Sequence, residues 1–195
     1  MKYPTGHKIS ENVYQSLRFV AKVGVMTRAT WYELFGSGSL RWKQKQLQHL
    51  IELQMFNPHP CAYVQDVVAI GEFGKKILQN LQRHYVPSIS AQFIEHDETV
   101  GRGLWRLERS NICKTWLTDK ELKVVDSKTF KLNVKGAGDK YPDAIFRFSN
   151  QEGGKFVAIE YEKTAKNNWR YNKAIMAYSD SSAFDYVLYV VETDG

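Results

Sequence analysis

Three acidic residues near the end of the chain have the spacing of a site that handles a divalent cation. They are Asp143, in Tyr141-Pro142-Asp143-Ala144, and Glu160 and Glu162, in Ala158-Ile159-Glu160-Tyr161-Glu162-Lys163. Each stretch adjoins an apolar, β-branched or aromatic run that predicts a strand: Ala144-Ile145-Phe146-Arg147-Phe148 and Phe156-Val157-Ala158-Ile159. Between them the polar, glycine-bearing Ser149-Asn150-Gln151-Glu152-Gly153-Gly154 predicts a hairpin turn. A hairpin sets its strands side by side, so Asp143 is expected close to Glu160 and Glu162. Two residues apart on a strand, the glutamates share one face, and Tyr161 between them points away. Crowded carboxylates repel unless a positive charge sits among them. Mg²⁺ or Mn²⁺, hard ions that prefer carboxylate oxygen and water, suit such a place. The plain alternative is a solvated edge strand carrying ordinary surface charges.

The elements around these acids follow from periodicity. Residues 99–112 predict a helix with Val100, Leu104 and Leu107 on one face, weakened by Gly101 and Gly103. Further segments at 116–122, 124–125 and 130–134 lead into the acidic strands. A second helix is expected over about residues 167–179, burying Tyr171, Ala174, Ile175 and Tyr178, and a last strand over 186–191. Lys163, Lys166, Arg170 and Lys173 form a basic stripe on another side. Flanking cations of this kind hold a phosphodiester backbone and offset developing charge, which makes Arg170 and Lys173 candidate DNA contacts. A solvated helix face would look the same.

The first half has a different pattern. Ser10 is a good N-cap for a helix carrying Val13, Leu17, Val20 and Ala21 and ending at Gly24. Thr27 caps a short second helix, stopped by Gly36-Ser37-Gly38, and Ser39 caps a third that runs to about Leu53. The third helix has an apolar face of Leu40, Leu47, Leu50 and Ile51. Its opposite face holds Arg41, Gln44, Lys45 and Gln48, the residue types that read guanine, adenine and phosphate. Two helices before such a third make a helix-turn-helix. Residues 56–60 then read as a turn, 62–64 and 67–70 as strand runs with Gln65-Asp66 as a short wing, and Gly71 leads a further helix. Pro87-Ser88-Ile89-Ser90 reads as a linker.

Net charge is +6 with a sequence pI near 9.2, which favours an anionic partner. The excess sits in the first half: residues 1–95 hold eleven Lys and Arg against six Asp and Glu, while the rest is nearly balanced. Two distant cysteines, Cys61 and Cys113, support neither a disulfide framework nor a structural zinc site. The first residues lack an apolar signal core, and no run is long enough to span a membrane, so a bacterial cytoplasmic protein without membrane insertion is expected. The sequence ends at Glu192-Thr193-Asp194-Gly195, directly after the last expected strand, as a chain cut short of a C-terminal tail would.

The Pro142-Asp143 pair and Glu160-Tyr161-Glu162 resemble the PD-(D/E)xK nuclease superfamily. The superfamily usually places Lys where this chain has Glu162, and some members supply that lysine from the next helix. The resemblance implies metal binding by Asp143, Glu160 and Glu162, with Lys166 or else Lys163 as the catalytic cation; Glu98, from the first helix of the second half, is expected to add an outer ligand. A winged helix ahead of such a core is similar to the replication-relaxation family and the MobC-type relaxases of mobilisable plasmids. The elements that carry this likeness are His96-Asp97, Trp116 with Glu121, Pro142-Asp143, and Glu160-x-Glu162 followed by Thr164.

That likeness implies a metal-dependent DNA endonuclease that nicks one strand at a plasmid origin of transfer in conjugative mobilisation. It also implies a relaxosome accessory or coupling protein as partner. The expected fold is α+β: a winged helix-turn-helix DNA-binding domain over residues 1–86, then an α/β PD-(D/E)xK nuclease-like domain over 87–195. The five histidines are scattered and do not make the three-histidine cluster of other relaxases. Two alternatives stand: a DNA-binding accessory or replication regulator with an inactive core, and a restriction-type enzyme that cuts both strands.

Overall fold

The computed structural model describes residues 9–81, 83–86, 90–125, 128–134, 138–149, 156–164 and 166–192. It is a mixed α+β structure that divides into two compact units, Met1–Glu98 and Thr99–Gly195. The division lies inside helix α5 (Ile94–Arg109). Residues 87–89 of the expected linker lie outside the described residues.

In the first unit, capping chemistry sets the helices. Ser10 accepts from the Val13 N–H at the start of α1 (Glu11–Val23), and Gly24, at φ 97°, closes it. Thr27 caps α2 (Arg28–Leu34), and Ser39 caps α3 (Leu40–Glu52). Strands β1 (Val25–Thr27), β2 (Phe56–His59) and β3 (Val67–Ile70) form an antiparallel sheet in the order β1-β3-β2. Three local expectations change here. The segment at 56–59 is a strand and not a turn, because Pro58 sits on an edge strand, where a missing N–H is tolerated. Residues 62–64 are not a strand, so the partner of β3 is β2 and the connection spans 60–66. Leu40, expected on the apolar face of α3, is 59% exposed, whereas Leu47 and Leu50 are buried.

Helix α4 (Glu72–Asn80) begins at Gly71 and packs so closely that side chains are excluded. A Cβ at Gly71 would stand 2.2 Å from the Gln54 carbonyl oxygen, and one at Gly74 would stand 2.4 Å from that of Met55.

The second unit holds β4 (Cys113–Thr118), α6 (Asp119–Val124), β5 (Leu132–Val134), β6 (Gly138–Lys140), β7 (Ala144–Phe148), β8 (Phe156–Glu162), α7 (Asn168–Ser179) and β9 (Phe184–Val191). The main sheet runs β4-β7-β8-β9. Its first two pairings are antiparallel, and β8 pairs with β9 in parallel through the α7 crossover. Strands β5 and β6 form a separate antiparallel pair. Leu122, Leu132, Ile145, Ala158, Ala177 and Phe184 share one core. The turn expected at 149–154 lies almost wholly outside the described residues. On α7, Tyr178 is buried as expected, but Ile175 is 52% exposed and Ala177 takes the inward place. Among the described residues no helix is long and apolar enough to cross a membrane.

Candidate active site

Strand β8 lies between β7 and β9; its glutamates fall just past the residues paired with β7 and are paired with β9, and both are buried, not solvated. Glu160 is only 2% exposed and Glu162 is 9% exposed. The antiparallel register opposes Ala144 to Ile159, which brings Asp143 alongside the end of β8. There Asp143 Oδ2 accepts the Tyr161 backbone N–H at 2.8 Å. Tyr161 itself turns elsewhere, and its hydroxyl donates to Glu192 Oε2 at 3.1 Å.

Each glutamate carries its own partners. Glu160 Oε2 meets Lys140 Nζ at 2.8 Å, and Glu160 Oε1 accepts from the Tyr178 hydroxyl. Glu162 Oε1 pairs with Lys166 Nζ. Burial and, next, the Asp143 charge push the Glu160 carboxyl above the ordinary range, while Lys140 and Tyr178 oppose the shift. The Tyr178 phenol is pushed far up by burial and by Glu160, so it remains a protonated donor.

Tyr189 completes the inner face. It stands opposite Glu160 in the β8–β9 register, with its ring edge-on to Tyr171 at 5.6 Å between centroids. Its buried hydroxyl has no hydrogen-bond partner among the described residues. Burial, then Glu160, Glu162 and Asp143, push that phenol up, which makes it a neutral donor and a poor nucleophile.

The donor chemistry fits Mg²⁺ or Mn²⁺, since all three acids offer hard oxygens and Asp143 already repels Glu160. As they stand, the two glutamates are paired with ammonium groups and Asp143 with a backbone N–H. Among the described residues no group of three or more His, Cys, Asp or Glu is gathered closely enough to hold a metal ion.

The other expected residues are distributed as follows. Glu98, expected as an outer ligand, is buried in the first unit, where its Oε1 accepts from the Thr27 N–H at 2.5 Å. Lys163 is exposed, and both it and Lys166 precede α7, so of the expected basic stripe only Arg170 and Lys173 lie on that helix. Arg170 is exposed on α7, and Lys173 lies over the Trp169 ring at 3.9 Å. Trp116 Nε1 donates to Glu108 Oε2 at 2.7 Å, and Glu121 closes the capping box of α6 with Thr118, so both motif residues have structural duties. His96 Nδ1 and Asp97 Oδ1 are 3.1 Å apart.

In the first unit, Arg41, Gln44, Lys45 and Gln48 are all exposed and line one cleft of about 1030 Å³ together with Gln65 and Asp66. Gln48 Nε2 donates to Glu52 Oε1 at 3.3 Å.

Sequence reasoning missed Lys140 and Tyr189. Tyr189 was detectable, because period-two alternation along β9 places it on one face with Val187 and Val191. Lys140 left no signal: it lies on a short strand outside the main sheet and reaches Glu160 only through the fold.

A scan against protein-family models, a search of curated proteins and a search of solved structures each found no match.

Proposed function

We propose that the second unit is a divalent-metal-dependent DNA endonuclease core that nicks one strand at a plasmid origin of transfer, with the first unit a winged helix that docks on that DNA. One observation carries the reading: two buried glutamates on an interior strand flank the backbone N–H that holds a third acid, with a lysine on each glutamate. The mixed four-stranded order, with its parallel crossover through α7, supports a restriction-endonuclease-like core.

Asp143, Glu160 and Glu162 would hold the cation. When bound, Mg²⁺ or Mn²⁺ would polarise the scissile phosphate and acidify the attacking water. The chain supplies the rest. Tyr161 N–H orients Asp143, and the protonated Tyr178 hydroxyl orients Glu160. Lys166 offers a cation at the rim to a phosphate oxygen. Arg170 and Lys173 on α7 contact the flanking backbone.

A second reading, a DNA-binding accessory with an inactive core, is favoured by the ammonium pairing of both glutamates and by the ungathered acids. Supercoiled plasmid bearing a candidate origin, incubated with Mn²⁺, separates the readings. Open circles support nicking, linear product supports double cutting, and binding without cleavage supports the accessory.

A further inference from the structure

Glu160 is the most enclosed acid of the site, and both its oxygens are engaged. Burial penalises a charged carboxylate this deep, and a cation beside it offsets that cost. That cation comes from outside the main sheet, from Lys140 on the β5–β6 pair. The Lys140 side chain is 37% exposed, so its ammonium faces Glu160 on one side and solvent on the other. A four-carbon stem lets such a group withdraw into water without repacking a core. Glu160 also feels the Asp143 charge, which the Lys140 ammonium opposes.

We propose that the Lys140 ammonium stands where a divalent cation binds, so that Lys140 and the metal compete for Glu160 and metal entry drives the ammonium off. The inference rests on the metal reading of this site. Lys166 does not fill this role, because it pairs with the outer glutamate, Glu162.

The test is Mn²⁺ titration calorimetry of the full chain at low ionic strength, in a buffer alkaline enough to keep Glu160 ionised. Removing a competing charge at contact distance should tighten Mn²⁺ binding by Lys140→Gln about tenfold. Lys140→Arg should bind no more tightly than wild type, and Glu160→Gln should bind most weakly. Mn²⁺ should also raise the unfolding temperature of Lys140→Gln by more than that of wild type. A wild type that binds Mn²⁺ beside a Lys140→Gln that binds equally or less well overturns the competition and leaves the metal site standing. Failure of both proteins to bind overturns the metal reading, and the inference with it. Wild-type protein gives an independent measurement: amine-reactive labelling, read by peptide mass spectrometry with and without Mn²⁺. Labelling of Lys140 should rise with metal. Unchanged or reduced labelling in a protein shown to bind Mn²⁺ would overturn the proposal.

Discussion

The backbone N–H of Tyr161 donates to Asp143 Oδ2 at 2.8 Å, so a strand interior holds the acid that precedes its neighbour. Tyr161 lies between Glu160 and Glu162 in sequence, and one hydrogen bond therefore fixes Asp143 relative to both. The carbonyl of Asp143 also accepts from the Asp119 N–H at 2.9 Å, which anchors its backbone to the start of α6.

This bond separates packing from charge. Asp143→Asn keeps an oxygen for the Tyr161 N–H and should fold within about 1 kcal/mol of wild type. It should nevertheless lose cleavage by about a hundredfold or more, because the negative charge is gone. Asp143→Ala leaves that N–H without its acceptor and should cost about 1–3 kcal/mol. Urea melts beside plasmid nicking check both claims. Equal stability of the two variants would show that the bond holds nothing.

Glu160 makes stability depend on pH. Its folded carboxyl is raised, first by burial and then by Asp143, so the native state keeps a proton that the unfolded chain has released. Stability from this group is full below the ordinary glutamate range and is lost as pH rises through the folded value. Glu160→Gln is permanently neutral. Its stability relative to wild type should therefore be greatest in mild alkali and shrink on acidification. Denaturant melts across the pH range measure this, and curves that stay parallel would exclude an anomalous Glu160.

The two lysines after β8 should behave differently. Lys166 Nζ lies on Glu162 Oε1, whereas Lys163 is exposed. Lys166→Ala should slow cleavage by about a hundredfold and Lys163→Ala by much less. Equal, small losses from both would reduce the stripe to a phosphate contact.

Tyr189 offers the reverse combination of effects. A buried hydroxyl without a partner costs stability, so Tyr189→Phe should match wild type or gain up to about 1 kcal/mol. Cleavage should fall about tenfold if that hydroxyl donates to the bound phosphate. A variant that is less stable and fully active would place Tyr189 in the packing instead.

The sequence shows clearly what local chemistry decides. Ser10, Thr27 and Ser39 cap helices where cap residues belong, and alternation puts Glu160 and Glu162 on one side of β8. What it hides depends on distant pairing. Pro58 reads as a strand breaker until β2 is seen at a sheet edge. Ile175 reads as core because its helix alone does not say how far the sheet extends beneath it. Glu98 is an acid ahead of a helical face, and only the fold gives it the Thr27 N–H. Lys140 is one of many lysines until β6 carries it to Glu160.

The exposed face of α3 tests the DNA-binding reading apart from the chemistry. Arg41, Gln44, Lys45 and Gln48 share a cleft that also includes Gln65 and Asp66 from the connection before β3. A duplex seated there would meet base-reading side chains and a phosphate-holding lysine at once. Truncating an arginine that reads a base should cost about 1–3 kcal/mol and relax preference at one base pair. Truncating a lysine that holds phosphate should weaken binding to every sequence and flatten the salt dependence. Arg41→Ala and Lys45→Ala, titrated against origin-bearing and scrambled duplexes at two salt concentrations, should therefore fail in different ways. None of these side chains is buried, so both variants should melt with wild type, and a loss of binding reports the interface itself. Wild-type binding by both variants at both salts would remove α3 from the interface. Recognition would then pass to α7, where Arg170→Ala is the next variant to titrate.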